Sequence, residues 1–182
     1  SFTLVASPEI EIGSVYNLGL LITGGEYEYQ TTYILNVGPV IEDFETGDFT
    51  AHDWTFSGTQ PWMIVSNEVY EGSYAARSGT ITHSQSSSMN LTIDVAVDGE
   101  ISFYRKVSSE NNYDFFKFYI NGSMVGQWSG EVPWSQVSYP VQAGTNTFTW
   151  TYEKDFIVSA GSDCAWVDFI EFPSAGEALE GP

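Results

Sequence analysis

Apolar and polar side chains alternate along most of this chain. Thr145 to Tyr152 sets Phe148, Trp150 and Tyr152 against Thr147, Thr149 and Thr151, the period-two pattern of a half-buried strand. Ile101 to Val107 sets Ile101 and Phe103 against Ser102 and Lys106, and Phe115 to Ile120 puts Phe116, Phe118 and Ile120 on one face. Ala165 to Phe172 reads as the last strand. Asp98-Gly99, Asn121-Gly122 and Ala143-Gly144 punctuate the series as turns. No segment carries sustained helical periodicity. Strands at this spacing predict an all-β sandwich or jelly roll.

The pattern divides the chain. Residues 1–38 hold the strand-like runs Phe2 to Ala6, Val15 to Thr23 and Tyr27 to Val37, with Gly24-Gly25 as a hairpin signal. Three strands cannot close a sandwich, so this stretch is expected to be a fragment of an Ig-like domain or an arm packing on the main domain. Val37-Gly38-Pro39 breaks the pattern, residues 39–173 form the main sandwich, and residues 174–182 are a linker or an appended tail. The chain opens mid-pattern, which is the expectation for a piece of a larger exported protein.

Composition sharpens the class. With 24 acidic residues against five Lys and Arg, the net charge is -19. That charge excludes a nucleic-acid partner, which needs a basic surface, and works against anionic membranes. The longest apolar run, near Leu18 to Thr23, is far short of a membrane span. At 42% hydrophobic and 16% aromatic, the chain is too rich for a disordered acidic segment. The single cysteine excludes an internal disulfide and a cysteine-rich zinc site.

Several short motifs occur in order: Asp43-Phe44-Glu45-Thr46-Gly47, Trp54, Glu71-Gly72-Ser73-Tyr74-Ala75-Ala76-Arg77-Ser78-Gly79, Ile101-Ser102-Phe103-Tyr104, Phe118-Tyr119-Ile120-Asn121-Gly122, Trp134 and Trp166-Val167-Asp168-Phe169-Ile170. This order resembles the MAM-like and cleaved-adhesin jelly-roll modules found in gingipain-like proteases and other large secreted proteins of Bacteroidetes. It is also similar to jelly-roll carbohydrate-binding modules. The resemblance covers residues 40–173 and implies a secreted or cell-surface module of a multidomain chain. Residues 1–38 resemble the end of the Ig-like domain that often precedes such modules.

The resemblance also implies a metal site. In such modules an acid of the first strand meets one of the last, and two carboxylates at close range repel unless protonated or bridged by a cation. Calcium, which takes six to eight oxygens, suits that place. Glu45 and Asp168 would be the side-chain ligands, with Glu71 and Ser73 adding oxygens from their loop. The acids are otherwise solvated strand ends. Two polar stretches are further candidates: Lys154 to Asp163, as a carbonyl-rich loop with two Asp, and Ser108 to Asp114, as a binding rim that includes Tyr113. Each also reads as an ordinary surface loop.

Of the six tryptophans, most are expected in the core, Trp134, Trp150 and Trp166 among them. Trp62 and Trp128, beside Pro61 and Ser129-Gly130, are the better candidates for the surface, where a ring could stack on a sugar; each otherwise reads as core packing. Catalytic motifs are missing: there is no Gly-x-Ser-x-Gly, His-Glu-x-x-His or phosphate loop. Cys164 reads as a buried inert thiol, and His52 and His83 lie in polar surroundings. The chain is thus expected to be a non-catalytic binding or adhesion module for a polysaccharide or glycoprotein surface. The alternative is an accessory structural or protein-docking domain of a secreted protease.

Overall fold

A computed structural model describes residues 14–37, 40–95 and 98–173. They form thirteen strands and no helix: β1 (Ser14–Gly24), β2 (Tyr27–Val37), β3 (Val40–Glu42), β4 (Thr55–Gly58), β5 (Met63–Val65), β6 (Ala75–Arg77), β7 (Ser86–Val95), β8 (Gly99–Ser108), β9 (Phe115–Ile120), β10 (Ser123–Trp128), β11 (Glu131–Val141), β12 (Gly144–Glu153) and β13 (Cys164–Phe172). The expected strand Phe2 to Ala6 and the tail 174–182 lie outside the described residues.

Three antiparallel sheets result. β1 and β2 pair along their whole length as a hairpin of their own. A five-stranded sheet runs β10-β9-β12-β7-β4, and a six-stranded sheet runs β11-β8-β13-β6-β5 with β3 on β13. The two larger sheets are the layers of the jelly-roll sandwich. Their facing sides supply one core in which Phe103, Phe118 and Trp150 meet edge-on or tilted, with centroids 4.8–5.7 Å apart. Burial of such large rings is the main favourable term.

The alternation sets which side chains enter. On β12, Phe148, Trp150 and Tyr152 are buried, as their period predicts. The alternate positions face outward and tie neighbouring strands together. The hydroxyls of Thr151 and Ser88 lie 2.8 Å apart, as do those of Thr147 and Thr92, and Thr149 donates to Asn90 Oδ1 at 2.9 Å. The β9–β10 turn places Asn121 and Gly122 at φ 52° and 77°, the doubly positive pair that matches strand twist.

Three tryptophan expectations need correction or refinement. Trp62 is only 3% exposed: its ring packs on Phe116 and its Nε1 donates to Ser87 O at 3.2 Å. An indole flanked by Pro61 looked like a loop residue, but its loop folds back over the core. Trp134, expected inside, is partly exposed, because a register shift between Val132 and Ser135 on β11 breaks the strict alternation. Trp128 is half-buried, with the Arg105 guanidinium 4.6 Å above its ring. Trp150 and Trp166 are buried as expected.

Candidate functional site

The outer face of the β11-β8-β13 sheet carries an aromatic platform. Tyr104 on β8 stands directly opposite Gln136 on β11 and Asp168 on β13, so all three share one face. The loop between β5 and β6 lies over that face. Its Tyr70 stacks on Tyr104, with centroids 3.4 Å apart and planes at 13°, and approaches Trp134 to 6.2 Å. Phe169 meets Tyr104 edge-on at 6.5 Å. Tyr70 remains 40% exposed, while Tyr104 and Trp134 are half-buried. Ring area therefore faces water within a bonded frame.

Polar groups ring the platform. Glu68 Oε1 accepts from Trp134 Nε1 at 3.0 Å, and its Oε2 pairs with Lys106 Nζ at 2.7 Å. The hydrogen bond from Lys106 holds the Glu68 carboxyl below its ordinary range. Gln136 Nε2 donates to Ser102 Oγ, which donates to Glu171 Oε2. A hydrogen bond with Tyr104, with burial second, pushes the Tyr70 phenol up to about 12. The face thus offers apolar ring surface bordered by fixed donors and acceptors.

The loop over the platform is gripped by the two acids singled out for calcium. Asp168, 1% exposed, accepts the N–H of Tyr70 at 2.9 Å and of Glu71 at 3.2 Å on Oδ2, and that of Phe169 at 2.8 Å on Oδ1. Glu45 Oε1 accepts the N–H of Ser73 at 2.7 Å and of Tyr74 at 2.9 Å. Gly72, at φ 65°, sits where any side chain would run into the Glu45 carboxylate. Phe169 itself adopts φ 48° at a register shift in β13, a β-bulge of the kind that re-aims side chains beside sites.

The charges of this pair differ in their setting. Burial raises Asp168 to about 6 despite its three N–H donors, and the Glu45 charge adds to the rise. The N–H groups of Ser73 and Tyr74 lower Glu45. A buried carboxylate that stays destabilised with three donors is one a cation would relieve. Glu71 and Ser73 turn N–H groups toward these acids, so the two carboxylates are the oxygens a hard cation would take there.

A second acidic group lies elsewhere. Ligand atoms of Glu110, Asp114 and Asp155 converge within 4.8 Å, a cluster able to hold a metal. It draws on both polar stretches that the sequence marked separately. Lys154, with a fully buried side chain, joins them, donating to Asp114 Oδ2 at 2.6 Å and Asp163 Oδ1 at 2.5 Å. Tyr113, beside this cluster in sequence, is exposed. Cys164 is buried, and burial pushes its thiol up to about 11. His52 sits 4.0 Å from buried Glu42, whose carboxylate accepts Phe44 N–H and Trp54 Nε1.

Sequence reasoning missed Tyr70, Tyr104 and Trp134 as a surface group. One signal was present: on β8, Tyr104 falls on the Ser102 and Lys106 side of the alternation, an aromatic in the polar register.

No protein-family model matches the chain, and no curated protein matches it. Solved structures do. TmCBM61 in complex with β-1,4-galactotriose aligns at TM-score 0.53 and 18% identity, over 72% of this chain and 94% of that one. A cleaved adhesin domain of Lys-gingipain from Porphyromonas gingivalis aligns at 0.57 and 13%, over 76% and 99%. The secreted serine protease VesC from Vibrio cholerae aligns at 0.56 and 17%, over 91% of this chain and 35% of that one. This chain shares the jelly-roll β-sandwich fold of carbohydrate-binding modules and cleaved adhesin domains.

Proposed function

We propose that this chain is a non-catalytic binding module that takes a polysaccharide or surface glycan on the outer face of the β11-β8-β13 sheet. The observation that carries the reading is the Tyr70–Tyr104–Trp134 platform within its frame of Glu68, Lys106, Gln136 and Ser102. A pyranose offers C–H faces that stack on aromatic rings and hydroxyls that need paired donors and acceptors. The platform offers both. The similarity to TmCBM61, bound to β-1,4-galactotriose, and to the CBM22-1 xylan-binding domain of Paenibacillus barcinonensis Xyn10C supports a glycan as ligand. Tyr113 remains a candidate contact at another loop end, and half-buried Trp128 is a second. Buried Trp62 offers none.

In this reading calcium is a structural ion. Glu45 and Asp168 would supply its charged oxygens, with Glu71 and Ser73 from the loop they grip. A bound cation supplies counter-charge, and the chain's own part is to hold the Tyr70 loop against Tyr104. Secretion as part of a larger chain fits the gingipain and VesC neighbours, and residues 1–38 would be a fragment of an Ig-like domain or a packing arm. One observation favours the second reading, an accessory domain of a secreted protease: the VesC match spans more of this chain than TmCBM61 or the gingipain domain.

The test is a glycan array in calcium, then calorimetry on a hit. Tyr104→Ala and Trp134→Ala should each weaken binding about tenfold or more, the scale of a lost ring contact. Unchanged affinity in both variants would move the site away from this face.

A further inference from the structure

The end of the sandwich that carries Lys154 bears costs that folding alone does not explain. Lys154 and Asp114 have fully buried side chains and pair at 2.6 Å, and Asp114 Oδ1 also accepts the N–H of Asp155 at 2.9 Å. The ammonium therefore staples the 109–114 loop to the 154–163 loop. Beyond the staple, three consecutive apolar side chains face water: Phe156 at 72%, Ile157 at 52% and Val158 at 49% exposure. Tyr113, at 58%, adjoins Asp114 just as Phe156 adjoins Asp155.

Single exposed apolar residues are ordinary, but a run of three on a held loop is not. Val158 adopts φ 64°. That is an outlier for a β-branched residue, and such strain persists where surrounding structure enforces it. Here the enforcer is visible: Lys154 Nζ also donates to Val158 O at 3.4 Å. Ile157 N–H is bound by Asp155 Oδ1 at 2.9 Å. The apolar tip is thus presented by a bonded loop.

One group at this end lacks a partner. Among the described residues, Glu110 Oε2 is buried and accepts no hydrogen bond. Burial, and then the charges of Asp155 and Asp114, raise the Glu110 carboxyl above its usual range. The partly exposed carboxylates of Glu110 and Asp155 border the apolar tip, and that pairing suits a cation carried on an apolar stem. Arginine and lysine have that construction: a charged head on a stem that packs on apolar surface. The net charge of -19 favours a basic partner over a second copy of this chain or an anionic lipid surface.

We infer that this end docks a basic, apolar-flanked segment of a protein partner, with an Arg or Lys head on Glu110 and Asp155 and apolar flanks on Phe156, Ile157, Val158 and Tyr113. This surface is separate from the aromatic platform and does not depend on the glycan reading.

The probe is a fluorescein-labelled peptide alternating Arg with Leu and Phe, titrated into the whole chain. Two control peptides replace Arg by Glu, or Leu and Phe by Ser. The parent should bind the first peptide at least about tenfold tighter than either control, with affinity falling as salt rises. Glu110→Gln, and separately Phe156→Ser with Ile157→Ser, should each cut that affinity about tenfold with the melting temperature and glycan binding unchanged. Equal binding of the Glu peptide, or affinity indifferent to both variants, overturns the inference. So does stoichiometric binding of calcium alone that Glu110→Gln abolishes, which would make the cluster a metal site. A concentration-dependent dimer, or retention on phosphatidylcholine vesicles, lost in the Phe156→Ser, Ile157→Ser chain would assign the tip to self-association or to lipid, and overturns it equally.

Discussion

Replacing Lys154 by Met tests whether the buried ion pair holds the two loops together. The substitution keeps the stem and removes the charge. At 2.6 Å from Asp114 and an effective dielectric constant of about 20, one such contact carries about 6 kcal/mol of gross attraction. Desolvating both ions takes back much of that, so the net worth of the intact pair is small. Removing one partner is different: Asp114 stays buried without its cation, beside Glu110, Asp155 and Asp163. That situation costs about 3–5 kcal/mol, or about 6–20 °C of melting temperature in a domain of this size. Differential scanning calorimetry and urea unfolding at pH 7 measure it. Asp114→Asn combined with Lys154→Met should cost less than the two single changes summed, by about 1 kcal/mol or more, because the orphaned charge has gone. Calcium should recover part of the loss in Lys154→Met, since Glu110, Asp114 and Asp155 then converge without a counter-charge. A melting temperature within about 2 °C of the parent, or a strictly additive double variant, would refute the reasoning.

The remaining expectations concern the platform, its acids and the thiol. A calcium chelator should lower the melting temperature and calcium restore it, and Glu45→Ala or Asp168→Ala should abolish that response; identical curves with and without chelator would leave both acids without a metal role. With chelator present, the raised Asp168 value sets a pH dependence. The folded chain keeps a proton that the unfolded chain releases near pH 4, so stability should fall as pH rises from about 4 to about 6 and then level, by about 3 kcal/mol at most. Asp168→Asn should flatten that limb in urea unfolding, and an unchanged slope would assign it to other groups. Cys164 should resist a colourimetric disulfide reagent at pH 8 in the native state and react fully on unfolding, because burial lifts its thiol to about 11; fast native reaction would contradict its burial.

The sequence by itself determined the layers. Period-two alternation on β8, β9 and β12 fixed which side chains face the core, because a strand has only two faces and large rings leave water wherever they can. The Asn121-Gly122 turn was legible for the same local reason: few residues accept two positive φ angles in succession. The resemblance named Glu45, Asp168, Glu71 and Ser73 only as calcium ligands, and the grip of the two acids on the N–H groups of the 70–74 loop came from the structure. Only the tertiary structure decided what lies across strands. Tyr70 reaches Tyr104 because the β5–β6 loop folds back over the outer face of its own sheet, and the sequence separation carries no sign of it. Trp62 and Trp134 exchanged their expected places because a folded-back loop and a register shift overrode local context. The two polar loops read as separate surface turns, since nothing local tells that a buried ammonium will join residues forty positions apart. Local propensity writes faces and turns into a sequence, whereas sites assembled from distant strands and loops exist only once the core has set their register.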